Sequence, residues 1–491
     1  MSRVKAILKD TSLFRRSYIL TLLCCRIIFV QIPAYVVMAL MFVWGLGLVL
    51  YNERRFKTFY KMRFGLWVAG FLGVMLLSML ICFSITLPVS FLYFLNALIC
   101  FFVFYGLHTE PDFDFREELG FIAKAVVYIV TIGNLLGLFC LLFGIRSLFE
   151  IDLFGILQLE IPFTVFENRF TGFFTNPNQL GFLSAVALFC LHLLSKQSLR
   201  DVTGKISNIW VVLGVVANFF GILLSDSNAT FVLVLAYFIV YLAYLFFSEK
   251  RGLSVLTTIL RVASVIVISV VLVFSSMMFR TIFNTGFSAV TAQTNSMVDY
   301  IFRDGNILDE FEENPAQKEE IITFEHENKN IDSGRFKLWN ECFELLKLSP
   351  VTGVGFGNIV YYSQIYLSGA FKYDMHHNDP HNGLLTILVS TGVLGFLMFA
   401  VFGFRFGKHC MQHLFLKGGE YKEEMFPCMF SFLAAYLVYS LFDVTLLYGI
   451  SFTVMFFWLI MGYTSTYILR KEQMLGQRAL FHSKTLKRTL L

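Results

Sequence analysis

Residues 17–51 are almost continuously apolar, and no other stretch restricts the fold as strongly. About 20 helical residues cross the hydrocarbon core of a bilayer, so this run is too long for one span. Gln31-Ile32-Pro33 is the natural break, giving a short first helix and a second over about 33–51. Runs of the same character follow at about 64–84, 86–107, 119–144, 180–195, 207–224, 229–247, 256–279, 383–404, 425–444 and 448–469. The expected fold is an all-α polytopic integral membrane protein with about 12 transmembrane helices. With 57% hydrophobic and only 15% charged residues, the chain lacks the composition of a soluble multidomain protein. Its net charge of +5 is explained by topology, so nucleic acid is not an expected partner. The first apolar run is long and many more follow it, which argues against a cleavable signal peptide.

Lys and Arg cluster in alternate connections, at Arg3 to Arg16, Arg54 to Arg63, Lys196 to Lys205, Arg405 to Lys422 and Arg470 to Arg488. The positive-inside rule then puts both termini in the cytoplasm and two substantial loops outside, about 145–179 and 280–382. This divides the chain into an N-terminal bundle of about nine helices (1–279), the extracytoplasmic loop between helices 9 and 10 (280–382), the last helices (383–469) and a basic tail (470–491). The larger loop carries fifteen acids against eight bases. Its first half, Asp304 to Asn330, lacks apolar periodicity and reads as a solvated excursion. In its second half Phe336, Trp339, Phe343 and Leu346 recur at helical spacing. An amphipathic helix over about 333–349, lying on the membrane surface, is expected there, ended by Pro350 and a glycine turn, Gly353 to Asn358. Six of the nine cysteines lie inside apolar runs and Cys342 has no partner in the polar loop, so cysteine serves as a small hydrophobe.

Polar residues at a membrane threshold carry the functional signal. Lys372 to Gly395 places three histidines, two aspartates and two asparagines just before an apolar run. If a helix already runs from His381, Gly392 lies about 20° from it around the axis and Gly395 about 40° the other way. That would make one face with a histidine above two glycines, open to a close neighbour. In the smaller loop Asn176-Pro177-Asn178 reads as a turn capping the next helix, and Arg169 precedes it without a capping explanation. Asp332-Ser333-Gly334 offers the start of the amphipathic helix, and Arg335 stands in its first turn. Two arginines hold a diphosphate by bidentate hydrogen bonds, and a histidine accepts a proton from an attacking hydroxyl.

Three stretches, NRFTGFFTNPNQLG (168–181), SGRFKLWNECFELLKLSPVTGVGFGN (333–358) and HNGLLTILVSTGVLG (381–395), resemble in order the motifs of the O-antigen ligase and O-antigen polymerase superfamily. The likeness spans roughly residues 165–465. The resemblance implies a GT-C-like membrane glycosyltransferase. Its reaction would be a metal-independent, inverting transfer, without cofactor, from an undecaprenyl-diphosphate-linked oligosaccharide to a glycan or lipid-anchored acceptor. The reaction would take place on the outer face of the cytoplasmic membrane. It also implies His381 as base or acceptor-positioning group, Arg335 as donor diphosphate ligand with Arg169 as a second, and Asn382, Gly392 and Gly395 in support. Asn382 fits a helix cap equally well. One departure stands out: Leu224-Ser225-Asp226-Ser227-Asn228 has asparagine where the family carries arginine. This raises the weight on Arg169, with Arg26, read as mid-depth in the first span, a further substitute. Asp374, His376, His377 and Asp379 match no standard metal motif. Asp443 reads either as interfacial or as a partner for an arginine. A multi-span transporter or flippase of lipid-linked glycans is the alternative. It would need charges along a path through the bundle, whereas here the polar residues gather on one side.

Overall fold

The computed structural model describes residues 2–111, 113–145, 147–153, 157–162, 164–247, 255–302, 324, 335–373, 378–416 and 425–474. The acidic excursion 304–330 (Phe324 apart), Ser333, Gly334, Asp374 to His377 and residues 475–491 of the basic tail lie outside the described residues.

Asp10 accepts the Leu13 N–H at 2.8 Å and so caps α1 (Thr11–Cys24). The chain turns at 25–30 into α2 (Gln31–Phe56), where Pro33 sits in the first turn and its missing N–H costs nothing. The two helices fold back on each other. Phe14 meets Trp44 with ring centroids 5.2 Å apart, and Trp44 Nε1 donates to the Leu8 carbonyl at 2.9 Å. Next come α3 (Gly65–Ile81), α4 (Leu87–Ile99) continued by a π and a 3-10 turn to Thr109, and α5 (Phe115–Leu142). Two antiparallel hairpins follow, β1 (Ser147–Leu153) with β2 (Leu157–Pro162) and β3 (Thr164–Phe166) with β4 (Arg169–Gly172). These strands depart from the all-α expectation; the rest of the regular structure is helical. The chain then forms α6 (Pro177–Leu194), α7 (Asn208–Leu224), α8 (Asn228–Phe247) and α9 (Val255–Phe302). It finishes with α10 (Arg335–Leu348), α11 (Asn358–Tyr366), α12 (Gly383–Met411), α13 (Met425–Tyr439) and α14 (Phe452–Met474).

Among the described residues, eight helices are long and apolar enough to cross a membrane. A ninth joins them if Gln197–Thr203 and α7, bent by 120°, count as one span. α3 and α13 are shorter apolar helices. The chain is therefore a polytopic membrane protein. α9 does not stop near residue 279 but runs on to Phe302, so the first part of the expected loop is helix.

The core is aromatic. Trp458 is fully buried, with Phe101 at 4.6 Å and Phe402 and Tyr105 around it. A buried polar knot adds specificity where α5, α6 and α7 meet. Asn134 Nδ2 donates to Ser184 Oγ (2.9 Å) and Asn218 Oδ1 (3.0 Å), and Asn218 Nδ2 donates to Thr131 Oγ1 (3.0 Å). Gly221 makes the approach possible, because a Cβ there would stand 2.5 Å from Ser184 Oγ. Hydrogen bonds of this kind hold helices together where lipid removes the hydrophobic drive.

Candidate functional site

The site is built around the start of α12. The helix does not run from His381 but begins at Gly383, capped by Asn382 Oδ1 on the Leu385 N–H at 3.0 Å. His381 lies outside it with φ 47°, in the left-handed region. The Gly383 N–H bonds the Ser440 carbonyl at 2.6 Å, which docks the start of α12 on the turn that carries Asp443. The expected face of His381, Gly392 and Gly395 is thus overturned, since a helical period holds only along a continuous helix. Asn382 takes the capping role.

Gly392 also differs from expectation. It has φ 63° and ψ −172° and breaks α12. The glycine turn after α10 fills the break with backbone. Val354 and Gly355 donate to the freed Val389 and Ser390 carbonyls at 2.9 and 3.0 Å. On the far side, Val393 and Leu394 donate to Pro350 and Val351 at 2.9 and 3.1 Å. A Cβ on Gly392 would stand 2.3 Å from the Val351 oxygen, and one on Gly353 2.4 Å from the Gly392 nitrogen. Two backbones meet here because neither glycine has a side chain, and the turn gives partners to the Val389 and Ser390 carbonyls and to the Val393 and Leu394 N–H groups. Gly395 keeps a packing role, with Val74 of α3 3.2 Å from its hypothetical Cβ.

α10 buries Leu338, Cys342 and Leu345 in a small core with Val354, Ile359, Phe371, Leu385 and Val389. Of the apolar stripe read from the sequence, Phe336 and Phe343 are exposed, away from this small core. The Glu341 carboxylate, 4% exposed, accepts from Ser363, Ser368 and the Ala370 N–H, fixing the turn that leads back to the site. Trp339 Nε1 holds the Pro380 carbonyl at 2.9 Å. α10 thereby positions both Arg335, at its first residue, and the segment Asp379 to His381.

There Asp379 Oδ1 accepts the His381 backbone N–H at 2.7 Å and lies 3.2 Å from His381 Nδ1. Burial raises the Asp379 carboxyl above the ordinary carboxylate range. His381 opposes that rise, Asp443 adds to it and Arg335 opposes it. Asp443 accepts from Tyr439 Oη at 3.0 Å. Arg26 is not mid-depth in a span. It occupies the turn between α1 and α2, its carbonyl bonded by the Thr175 N–H at 3.1 Å, within electrostatic range of Asp443 and Tyr439. Neither the Arg26 nor the Arg335 side chain makes a hydrogen bond or ion pair among the described residues.

Asn176 caps α6 through the Asn178 N–H at 2.8 Å, as the turn predicts. Arg169 lies on β4, 3% exposed, donating to Asn178 Oδ1 at 3.2 Å, with Glu167 at 3.8 Å. Its Nε is buried without a partner. Burial lowers the Arg169 pKa, offset by Glu167 and Asp226, with Arg280 acting in the same direction as burial. Arg280 was invisible as a site residue in the sequence. From α9 it pairs with Asp226 and donates to Asn228 Oδ1 at 2.9 Å, so a guanidinium reaches the asparagine from another helix. The two groups adjoin through α6: Phe182, in its second turn, packs on Tyr439 at 5.2 Å.

A second missed cluster lies at the opposite end. Buried His409, His413 and Glu472 have ligand atoms within 4.8 Å of one another, the one set with metal-holding geometry among the described residues. The i, i+4 spacing of the histidines was its only sequence signal. Arg63 supplies a cation there, donating to Glu472 Oε2 at 2.6 Å and contacting His409. Asp374, His376 and His377 lie outside the described residues.

Residues 213–400 match the family Wzy_C, O-antigen ligase, a stretch that includes Arg280, Arg335, His381 and both glycines of the broken helix. No curated protein matches the chain.

Proposed function

On the premise that this chain belongs to the O-antigen ligase family, which its residues 213–400 support, we propose that it transfers or polymerises a glycan from an undecaprenyl-diphosphate-linked donor. In this reading the site faces outward from the cytoplasmic membrane, about twelve helices span the bilayer and both termini are cytoplasmic. The observation that carries it is the Asp379–His381 pair with the unpaired Arg335 guanidinium acting on its carboxylate, and the unpaired Arg26 guanidinium acting on the neighbouring Asp443. Arg26 and Arg335 are half-buried; a cation partly withdrawn from water gains from a partner, and a diphosphate is the partner that a planar guanidinium fits in two-point fashion. The acceptor hydroxyl attacks the anomeric carbon from the face opposite the diphosphate. Its proton passes to His381, the carbon–oxygen bond to the phosphate breaks, and the electron pair leaves on the lipid diphosphate beside Arg335 and Arg26. Configuration inverts in such a single displacement, and the guanidiniums supply the charge stabilisation that a metal would otherwise give. Arg169 and Arg280 flank this centre as a second, internally balanced arginine pair.

Arg335→Lys tests the reading. It keeps the charge and loses the fork, so glycan transfer in intact cells is expected to fall at least about tenfold at unchanged membrane levels. Full transfer by the lysine variant would remove Arg335 from the donor site.

A further inference from the structure

Asp-Pro-His is a short sequence with a built-in geometry. An aspartate readily accepts the N–H two residues on, and the intervening proline favours the turn. Here that bond forms at 2.7 Å, and the same oxygen reaches Nδ1 of the ring at 3.2 Å. Two contacts to one carboxylate oxygen fix both the backbone and the ring of His381. They also offset the left-handed conformation at φ 47°, which costs an L residue about 1–2 kcal/mol. Both side chains are about a quarter exposed, Asp379 at 23% and His381 at 25%, so neither is sealed from solvent among the described residues.

We propose that Asp379 is the positioning residue of His381, setting which ring nitrogen is the base. This inference rests on the glycosyl-transfer reading above. An ionised carboxylate can only accept, so Asp379 at 3.2 Å favours the tautomer with the proton on Nδ1, and the base in this proposal is Nε2. As the acceptor hydroxyl attacks, its proton moves to Nε2. The resulting imidazolium is then paired with Asp379, and the bonding electrons leave with the diphosphate. Nothing beyond acceptor and donor is consumed.

Among the described residues, the groups around the carboxylate are His381 beside it, Arg335 and Cys342 from α10, Asp443 from the turn before α14, and Tyr93 from α4. Burial holds the carboxyl above its ordinary range, so activity is expected to fall as pH drops through that raised value. The acid limb thus lies above the pH at which a solvated aspartate titrates.

The test uses the full chain in right-side-out membrane vesicles that contain their own lipid-linked glycan, scoring transferred glycan against pH. Asp379→Asn keeps an acceptor for the His381 N–H, so the turn can form, but removes the charge. Transfer is expected to fall about 100-fold, with the acid limb moved to lower pH, and Asp379→Glu is expected to recover at least a tenth of the wild-type rate. A wild-type rate and pH profile in Asp379→Asn would overturn the proposal. Should the asparagine variant not accumulate, Asp379→Ala and Asp379→Glu decide: equal activity overturns the role, and loss in alanine with recovery in glutamate supports it. His381→Ala in the same vesicles separates the two claims. If it still transfers glycan, the reading beneath the proposal fails. If it is inactive while Asp379→Asn is unaffected, only the role of Asp379 fails.

Discussion

The two ends of the bundle treat buried charge in opposite ways. At the end carrying the N-terminus, Arg15 is fully buried and all its nitrogens are used. Nε meets Glu118 at 2.8 Å, Nη1 meets Glu110 at 2.5 Å and the Val103 carbonyl at 3.3 Å, and Nη2 reaches Glu118 at 3.1 Å. Tyr463 Oη adds a bond to Glu118 at 2.7 Å. Arg63, Glu472 and His413 form a second closed set. At the other end the half-buried Arg26 and Arg335 side chains remain without hydrogen bond or ion pair among the described residues, Arg335 acting on the carboxylate beside a histidine in a left-handed turn and Arg26 on the neighbouring Asp443. Taking a charge out of water costs several kcal/mol unless partners compensate. One end supplies those partners from within the chain and holds helices together. The other, in the proposed reading, leaves them to a ligand.

That contrast can be broken by substitution. Gly392→Ala has the largest expected effect, since it puts a side chain in a left-handed position 2.3 Å from the Val351 oxygen. The interlocked backbones cannot form around it, and the chain should fail to accumulate in membranes. Arg15→Met comes next. It leaves Glu110 and Glu118 buried without their cation, and a loss of about 3–5 kcal/mol is expected, read as a lower melting temperature in detergent. Arg335→Lys has the smallest effect on folding, within about 0.5 kcal/mol of wild type, while glycan transfer falls. A large loss of stability in Arg335→Lys, or none in Arg15→Met, would erase the distinction between the ends.

Much of this was legible in the sequence. Helices cover the apolar runs because a backbone in lipid has to satisfy its own hydrogen bonds. The Asn176 cap and a helix with Arg335 in its first turn followed from turn chemistry and spacing. What escaped the reading depends on long-range contact. The period argument placed Gly392 on a helix face, and nothing local announced that residues 350–355 would enter the helix at that point. Arg26 looked like mid-span because the turn at 25–30 is itself apolar; bonding of Ile28 and Thr175 across to the β4–α6 connection is what fixes it. Arg280 reaches Asp226 over 54 residues of sequence, and no spacing rule spans that distance. Asp379 was visible only as a poor metal ligand, although Asp-Pro-His already contained the turn that ties it to His381.

The most direct measurement is glycan transfer by His381→Ala, compared with wild type at matched membrane levels. Transfer is expected to be abolished with the melting temperature unchanged, because the ring acts on the acceptor and packs into no core. Full transfer by the alanine variant would contradict the assignment of this end of the molecule as the place where the glycan is moved.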